Sequence, residues 1–229
     1  MEKLVFTLDE GFVVDYFIAS YGALENLFPD KKEEIIKRFE DIYKEQVRGK
    51  GLEDIFNHNV YSDPEIFDRH SYSFFKAFAE YVKDDDKRIR FTEEIGEYFF
   101  KIIKKSTEIS IMGPNGNNFE KIKHNISEII SYLKQVAYFE DAKVDWTSFD
   151  KEKLENGGTT SFTYTIKNPV IYESARQLFN EEGFAQHYST RIIQAALKEF
   201  GIHGKEEKKF NLLEFFSNNI KEKWELRKI

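Results

Sequence analysis

Apolar positions three and four residues apart run through most of the chain and predict a helix-dominated fold. One clear stripe is Ile35, Phe39, Ile42, Tyr43 and Val47, followed by Gly49 and Gly51, which are typical of a helix end. Such stripes predict about seven helices in all: one to Leu27, one from Asp30, one opened by Pro64, one capped by Thr92, one from Asn117, one from Pro169 through 189–200 to Gly201, and one from Asn211 with Ile220 and Trp224 on its stripe. The charged residues 83–90 predict a solvated loop.

The most apolar part of the chain is "FVVDYFIASYGALENLF", from Phe12 to Phe28. Apolar side chains lie on every side of this helix, which predicts a central helix buried on most sides. Asp15 and Glu25 interrupt it, and it is too short to cross a bilayer. No membrane-spanning segment is therefore expected here.

The period changes from helical to alternating in the second half of the chain. Apolar Val144 and Trp146 alternate with polar residues, and so do Phe162, Tyr164 and Ile166. Period two predicts two strands with one buried face, joined through an Asn-Gly-Gly turn. Residues 3–8 are a further candidate strand. The fold class is therefore α+β, helix-dominated, with a small antiparallel sheet built on a hairpin at about 142–167.

Length and composition limit the organisation and the chemistry. The 229 residues fit a single domain, 1–229, or a subdivision into a helical part, 1–112, and a helix-hairpin-helix part, 113–229. The formal charge of −7 argues against broad non-specific binding of nucleic acid. The absence of cysteine excludes disulfides, thiolate catalysis and Cys-ligated zinc. The acidic N-terminus lacks a signal-peptide layout, so we expect a cytoplasmic location.

A short strand-like run before Gly113-Pro114-Asn115-Gly116 resembles the start of a phosphate-binding loop. Such a loop needs a second glycine, a lysine and a hydroxyl, but Asn118, Phe119 and Glu120 occupy those positions. The segment is better explained as a tight turn before a helix. We expect no nucleotide to bind there.

Two alternatives involve the polar side of the next helix. Glu120, His124 and Glu128 are four residues apart on one helical face, so together they could ligate Zn²⁺ or Fe²⁺ in a metal-dependent enzyme. The same residues also fit an ordinary solvated face, because Ile122, Ile126 and Ile129 lie opposite.

Tyr172, Ser174 and Arg176 form a Y-x-S-x-R motif that resembles the haem-propionate motif of haem nitric-oxide/oxygen-binding sensor domains. The resemblance implies a haem sensor with His124 as the iron ligand. The motif needs a strand for its three side chains to converge, whereas the apolar spacing around it predicts a helix.

The aromatic content suggests a function in binding, since the chain has 23 Phe and 12 Tyr. Tyrosines on helical stripes need a partner or a wet cavity for their hydroxyls. We therefore expect a non-enzymatic regulatory or adaptor domain without a cofactor. Its aromatic-rich groove would bind a protein partner or a small apolar ligand, with a homo-oligomer as a further alternative. The candidate groove residues are Tyr16, Tyr21, Tyr72, Tyr98, Trp146 and Tyr164.

Overall fold

The fold, given by a computed structural model, is α+β and helix-dominated, as the sequence predicts. The structure describes residues 10–48, 64–105, 110–114, 118–136, 139–169, 188–207 and 219–228. In order, the elements in these ranges are α1 (Glu10–Leu27), a 3-10 turn (Pro29–Lys31), α2 (Lys32–Val47), α3 (Pro64–Tyr81), α4 (Asp85–Ile103), α5 (Asn118–Gln135), β1 (Phe139–Asp145), α6 (Lys151–Glu155), β2 (Thr160–Pro169), α7 (Tyr188–Lys198), β3 (Ile202–Glu207) and β4 (Asn219–Lys228). The predicted strand at 3–8, Gly49, Gly51 and the helix start at Asn211 lie outside the described residues.

The chain divides into two compact units. Unit 1 comprises Met1–Phe99 and Val170–Arg191, and unit 2 comprises Phe100–Pro169 and Ile192–Ile229. By sequence, unit 1 has 16 Lys and Arg against 26 Asp and Glu, a charge of −10, whereas unit 2 has 18 against 15, a charge of +3. The single-domain interpretation and the alternative boundary at residues 112 and 113 stay predictions.

Unit 1 is helical, and its core is built largely of aromatic rings. The whole stripe predicted for α2 is buried. Phe78 of α3 stacks on Phe91 of α4 with ring centroids 4.0 Å apart. Arg38 of α2 forms a two-bond ion pair with Glu80 of α3, at 2.6 and 3.0 Å. Hydrogen bonding to Arg38 lowers the pKa of the Glu80 carboxyl, so the pair stays ionised at neutral pH.

The prediction of a charged loop before a helix capped by Thr92 is wrong. Helix α4 begins at Asp85, and the Asp84 side chain accepts a hydrogen bond from the Lys87 N–H at 2.9 Å, which is N-cap geometry. Asp85 follows in the first turn, where a negative charge is favourable. Thr92 lies inside the helix and donates to the Ile89 carbonyl. The charged residues are therefore a helix start.

A buried arginine completes the connection from α3 to α4. The Arg88 guanidinium donates to the carbonyls of Val82 at 2.6 Å and Ala79 at 2.8 Å. Carbonyls at the end of a helix have no partner within the helix. Arg88, in the first turn of α4, donates hydrogen bonds to these carbonyls. The bonds fix the reversal of the chain between α3 and α4.

Unit 2 contains a four-stranded antiparallel sheet in the order β1-β2-β4-β3. The predicted hairpin is present as β1 and β2. On its even-numbered face Phe162, Tyr164 and Ile166 are fully buried, as predicted, whereas Val144 and Trp146 are only half-buried.

Parts of two predicted helices prove to be strand in this sheet, whereas residues 189–198 of the first are helical in α7, as predicted. Pro169, predicted to open a helix, is the last residue of β2 and lies opposite Phe139. Ile220 and Trp224, predicted on a helical stripe, lie on β4 opposite Ile166 and Phe162. A spacing of four residues returns to the same face in a strand as well as in a helix. Pairing with β2 therefore decided the outcome.

Gly204 of the edge strand β3 allows the sheet to pack closely. A methyl group at this position would lie 2.9 Å from both Leu197 Cδ1 and Trp224 Cε3. The Trp224 ring therefore covers the glycine of the neighbouring strand and packs there with α7. Aromatic side chains compensate in this way for a glycine in an edge strand.

Candidate functional site: an apolar face on helix α1

The six predicted groove residues are not equally accessible. Tyr16, Tyr72 and Tyr164 are buried, whereas Tyr21, Tyr98 and Trp146 are half-buried. Of the six, Tyr16, Tyr21, Tyr72 and Tyr98 belong to unit 1, and Trp146 and Tyr164 belong to unit 2. The predicted groove between helices and hairpin joins residues of the two units, and it stays a prediction.

Tyr16 is a core residue of the helical unit. Its ring packs edge-to-face on Phe67 with centroids 4.9 Å apart. Burial raises the pKa of the Tyr16 phenol, and the nearby Ser71 and Ser20 hydroxyls lower it by a smaller amount. The phenol is therefore neutral and is shielded from solvent by the core.

The surface of α1 has an apolar face, although a helix apolar on every side is usually buried. Val14 is 42% exposed and Ile18 is 55% exposed. Gly11, Tyr21 and Gly22 follow the same face at spacings of three and four residues, and each is exposed or half-buried. The helix is buried on its other sides, in agreement with the prediction. We call the exposed side the α1 face: Gly11, Val14, Ile18, Tyr21 and Gly22.

Two of the predicted tyrosines lie at one end of the α1 face. Tyr98 of α4 lies across Gly22, because a methyl group at Gly22 would be 3.3 Å from Tyr98 Cε1. The Tyr21 ring packs edge-to-face on Phe74 with centroids 5.3 Å apart. Both rings are thus supported from below while part of each reaches solvent. Because Gly22 has no side chain, no group projects from the surface between the two rings.

Acidic side chains border the α1 face. Asp15 and Glu25 lie beside it on α1, and Glu25 pairs with Lys32 at 3.1 Å. On the α4 side, Glu94 accepts a hydrogen bond from the Asn26 amide at 2.9 Å. The face is therefore an apolar strip with an acidic border, in a unit of charge −10.

Unit 2 carries a separate cluster of half-buried rings around Trp146. Phe119 and Phe149 stack with centroids 4.0 Å apart and an angle of 6° between their planes. Trp146 packs edge-to-face against both. The Lys123 ammonium lies 5.0 Å above Phe119, at cation–π distance. The sequence singled out Trp146 alone, because its partners are not at a shared period with it.

The residues proposed as metal ligands have another role in the structure. His124 Nε2 hydrogen-bonds to the Ser110 carbonyl at 2.9 Å, and the Glu128 carboxylate accepts from the Ser110 N–H at 3.1 Å. Glu120 instead pairs with Lys123. Within the described part of the chain, no group of three or more His, Asp and Glu side chains is placed to hold a metal ion.

The same face of α5 fixes the backbone of residues 110–114. Asn125, almost fully buried, accepts from the Met112 N–H at 2.8 Å and donates to the Met112 carbonyl at 2.9 Å. Lys121 donates to the Gly113 carbonyl at 3.2 Å. The start of the turn that resembles a phosphate loop is therefore held to its own helix by side chains. The haem-type motif at Tyr172–Arg176 lies outside the described residues.

No helix in the described ranges is long and apolar enough to span a membrane. We found no protein-family model, no curated protein and no solved structure that matches this chain, so the site's geometry carries the functional argument.

Proposed function

We propose that this protein is a non-enzymatic adaptor or regulatory domain, and that its α1 face binds an amphipathic helix of a partner protein. The observation that supports this is the exposure of Val14 and Ile18 in the most apolar helix of the chain. Covering the exposed half of each side chain would contribute about 1 kcal/mol, from the usual range for burying a whole aliphatic side chain. The half-buried Tyr21 and Tyr98 add area of the kind enriched at binding hot spots.

The shape of the α1 face favours a helix as the binding element. Its apolar positions recur every three or four residues, so they match the ridge that an amphipathic partner helix presents. Gly11 is exposed, has no side chain and allows close approach of a second helix. Tyr98 beside Gly22 would bound the contact at one end.

The charge around the face favours a partner with basic flanks. Asp15, Glu25 and Glu94 border the apolar strip, and complementary charges across an interface speed association and exclude wrong partners. A second copy of this chain would bring the same acidic borders together, and like charges across an interface are unfavourable. The proposed partner therefore carries Lys or Arg next to an apolar stripe.

Site-specific photo-crosslinking in the host tests the proposal. A photo-reactive residue replaces Val14 in one version of the protein and Ile89 in the other. Ile89 is a good control because it is 41% exposed and is not one of the residues of the α1 face. We expect the Val14 position alone to capture a partner peptide, with apolar residues at helical spacing and basic flanks.

Binding of that purified peptide then gives the quantitative test. Ile18→Ser should weaken binding about tenfold or more, the loss typical of a residue at an interface centre. Ile89→Ser should change it less than about twofold, and both variants should melt like the wild type. Equal crosslinking from both positions, a captured copy of this chain, or unchanged binding in Ile18→Ser would overturn the proposal.

A further inference from the structure

The unit 2 sheet has a polar outer face, opposite the face that carries Phe162 and Trp224. The odd-numbered residues of β1, β2 and β4 from Asp141, Ser161 and Asn219 onward form it, as the register and the burial of the described side chains indicate. Of the charged residues on this face, Asp141, Lys143, Asp145, Lys167, Lys221, Lys223 and Arg227 are exposed, and Glu225 is half-buried. The face is therefore accessible to a partner molecule.

Cations exceed anions on this outer face. Lys143, Lys167, Lys221, Lys223 and Arg227 supply five positive charges. Asp141, Asp145 and Glu225 supply three negative charges. The excess stands out in a chain of net charge −7, and it lies in the only unit with a positive sum.

The centre of the face has an ordered arrangement. In the strand register Lys143 lies opposite Thr165, and Thr165 lies opposite Lys221. Adjacent strands are about 4.8 Å apart, so two ammonium groups flank one hydroxyl across roughly 10 Å. Lys223 lies two residues from Lys221, on the same side of β4. Three lysines and a hydroxyl can thus reach the same pair of carboxylates on a partner.

Asp145 lies within the electrostatic influence of two of these lysines. Its carboxylate accepts a hydrogen bond from the Thr147 N–H at 2.9 Å, and this bond is the main reason its pKa is lowered. Lys143 and Lys221 both lower the pKa of Asp145 further. The centre therefore has three lysines and one carboxylate, and its net charge is positive.

We propose that the outer face of the sheet binds an acidic segment of a partner protein, rich in Asp and Glu. Single-stranded nucleic acid is usually held by rings on which its bases stack, and the odd-numbered positions of β1, β2 and β4 from Asp141, Ser161 and Asn219 onward carry none. The three carboxylates on the face would also repel a backbone with a phosphate at every step. A peptide can place uncharged residues opposite them.

Fluorescence anisotropy with the full chain and two synthetic peptides tests this directly. The probe peptide alternates Glu and Ser over twelve residues, and the control peptide has Gln for each Glu. We expect the acidic peptide alone to bind, and to bind more weakly as salt increases because the contacts are between exposed charges.

A matched pair of double variants locates the site. Lys221→Gln with Lys223→Gln should weaken binding about tenfold or more. Lys151→Gln with Lys153→Gln removes the same charge from α6, off this face, and should change binding less than about threefold. The proposal is overturned if both variants lose binding equally, if the control peptide binds as well, or if single-stranded oligothymidine binds more tightly than the acidic peptide. Helix binding to the α1 face is independent of each of these outcomes.

Discussion

The buried His70 of α3 should make unit 1 sensitive to acid. Its imidazole lies between aromatic rings, with centroids 3.9 Å from Phe17 of α1 and 4.6 Å from Phe39 of α2. Tyr43 of α2 packs at 5.9 Å, and Nδ1 has no hydrogen-bond partner among the described residues. Burial lowers the pKa of His70 from 6.5 to about 3.

The size of the effect follows from the two pKa values. The unfolded chain takes up the proton near pH 6.5 and the folded protein near pH 3, so stability falls as the pH drops through this interval. Each pKa unit corresponds to 1.36 kcal/mol, which gives a loss of about 2 kcal/mol between pH 7 and pH 5 from His70 alone. Below the folded-state pKa there is no further loss.

Urea unfolding of the wild type and of His70→Phe at pH 7, 6 and 5 tests this. Phe keeps a ring between Phe17 and Phe39 and removes the proton site, so other titrating groups cancel in the difference. We expect the wild type to lose about 2 kcal/mol more than His70→Phe between pH 7 and pH 5. Parallel pH dependence in the two proteins, or an NMR titration of the native His70 imidazole near pH 6.5, would refute the reasoning.

Three further substitutions test contacts in the fold. Gly204→Ala places a methyl 2.9 Å from side chains of α7 and β4 and should cost about 1–3 kcal/mol in urea unfolding; Gly113→Ala, with nothing within 4 Å, should cost less than about 0.5, and equal costs would contradict the packing. Arg88→Met leaves two carbonyls of the α3 end without their donor and should lower the free energy of unfolding by about 2–3 kcal/mol. Arg90 is exposed, so Arg90→Met is the control. If Arg88→Met lowers the free energy of unfolding no more than Arg90→Met does, Arg88 does not cap α3. Asn125→Ala removes both bonds to the backbone of residue 112, and hydrogen exchange of that amide should become about tenfold faster or more; an unchanged rate would mean that α5 does not hold the segment.

The sequence by itself determined the elements whose apolar spacing fits only one type of secondary structure. The five-residue stripe of α2 is buried as predicted, because a stripe that combines spacings of three and four residues lies on one face only in a helix. The alternation of Phe162, Tyr164 and Ile166 likewise predicted β2 and its buried face. In both, each side chain's environment follows from its own neighbours in sequence.

Tertiary contacts decided the elements whose pattern fits two structures. The spacing of Ile220 and Trp224 suits helix and strand equally, and only pairing with β2 made β4 a strand. The start of α4 likewise depended on a choice of cap, which Asp84 rather than Thr92 provides.

The candidate site was only partly visible in the sequence for the same reason. Tyr21 and Tyr98 could be selected as polar rings on apolar stripes, and both lie at the end of the α1 face. The exposure of Val14 and Ile18 could not be predicted, because an all-round apolar pattern does not show which side of a helix lacks a neighbour. Which surfaces stay uncovered depends on where distant segments pack, so only the folded chain determines it.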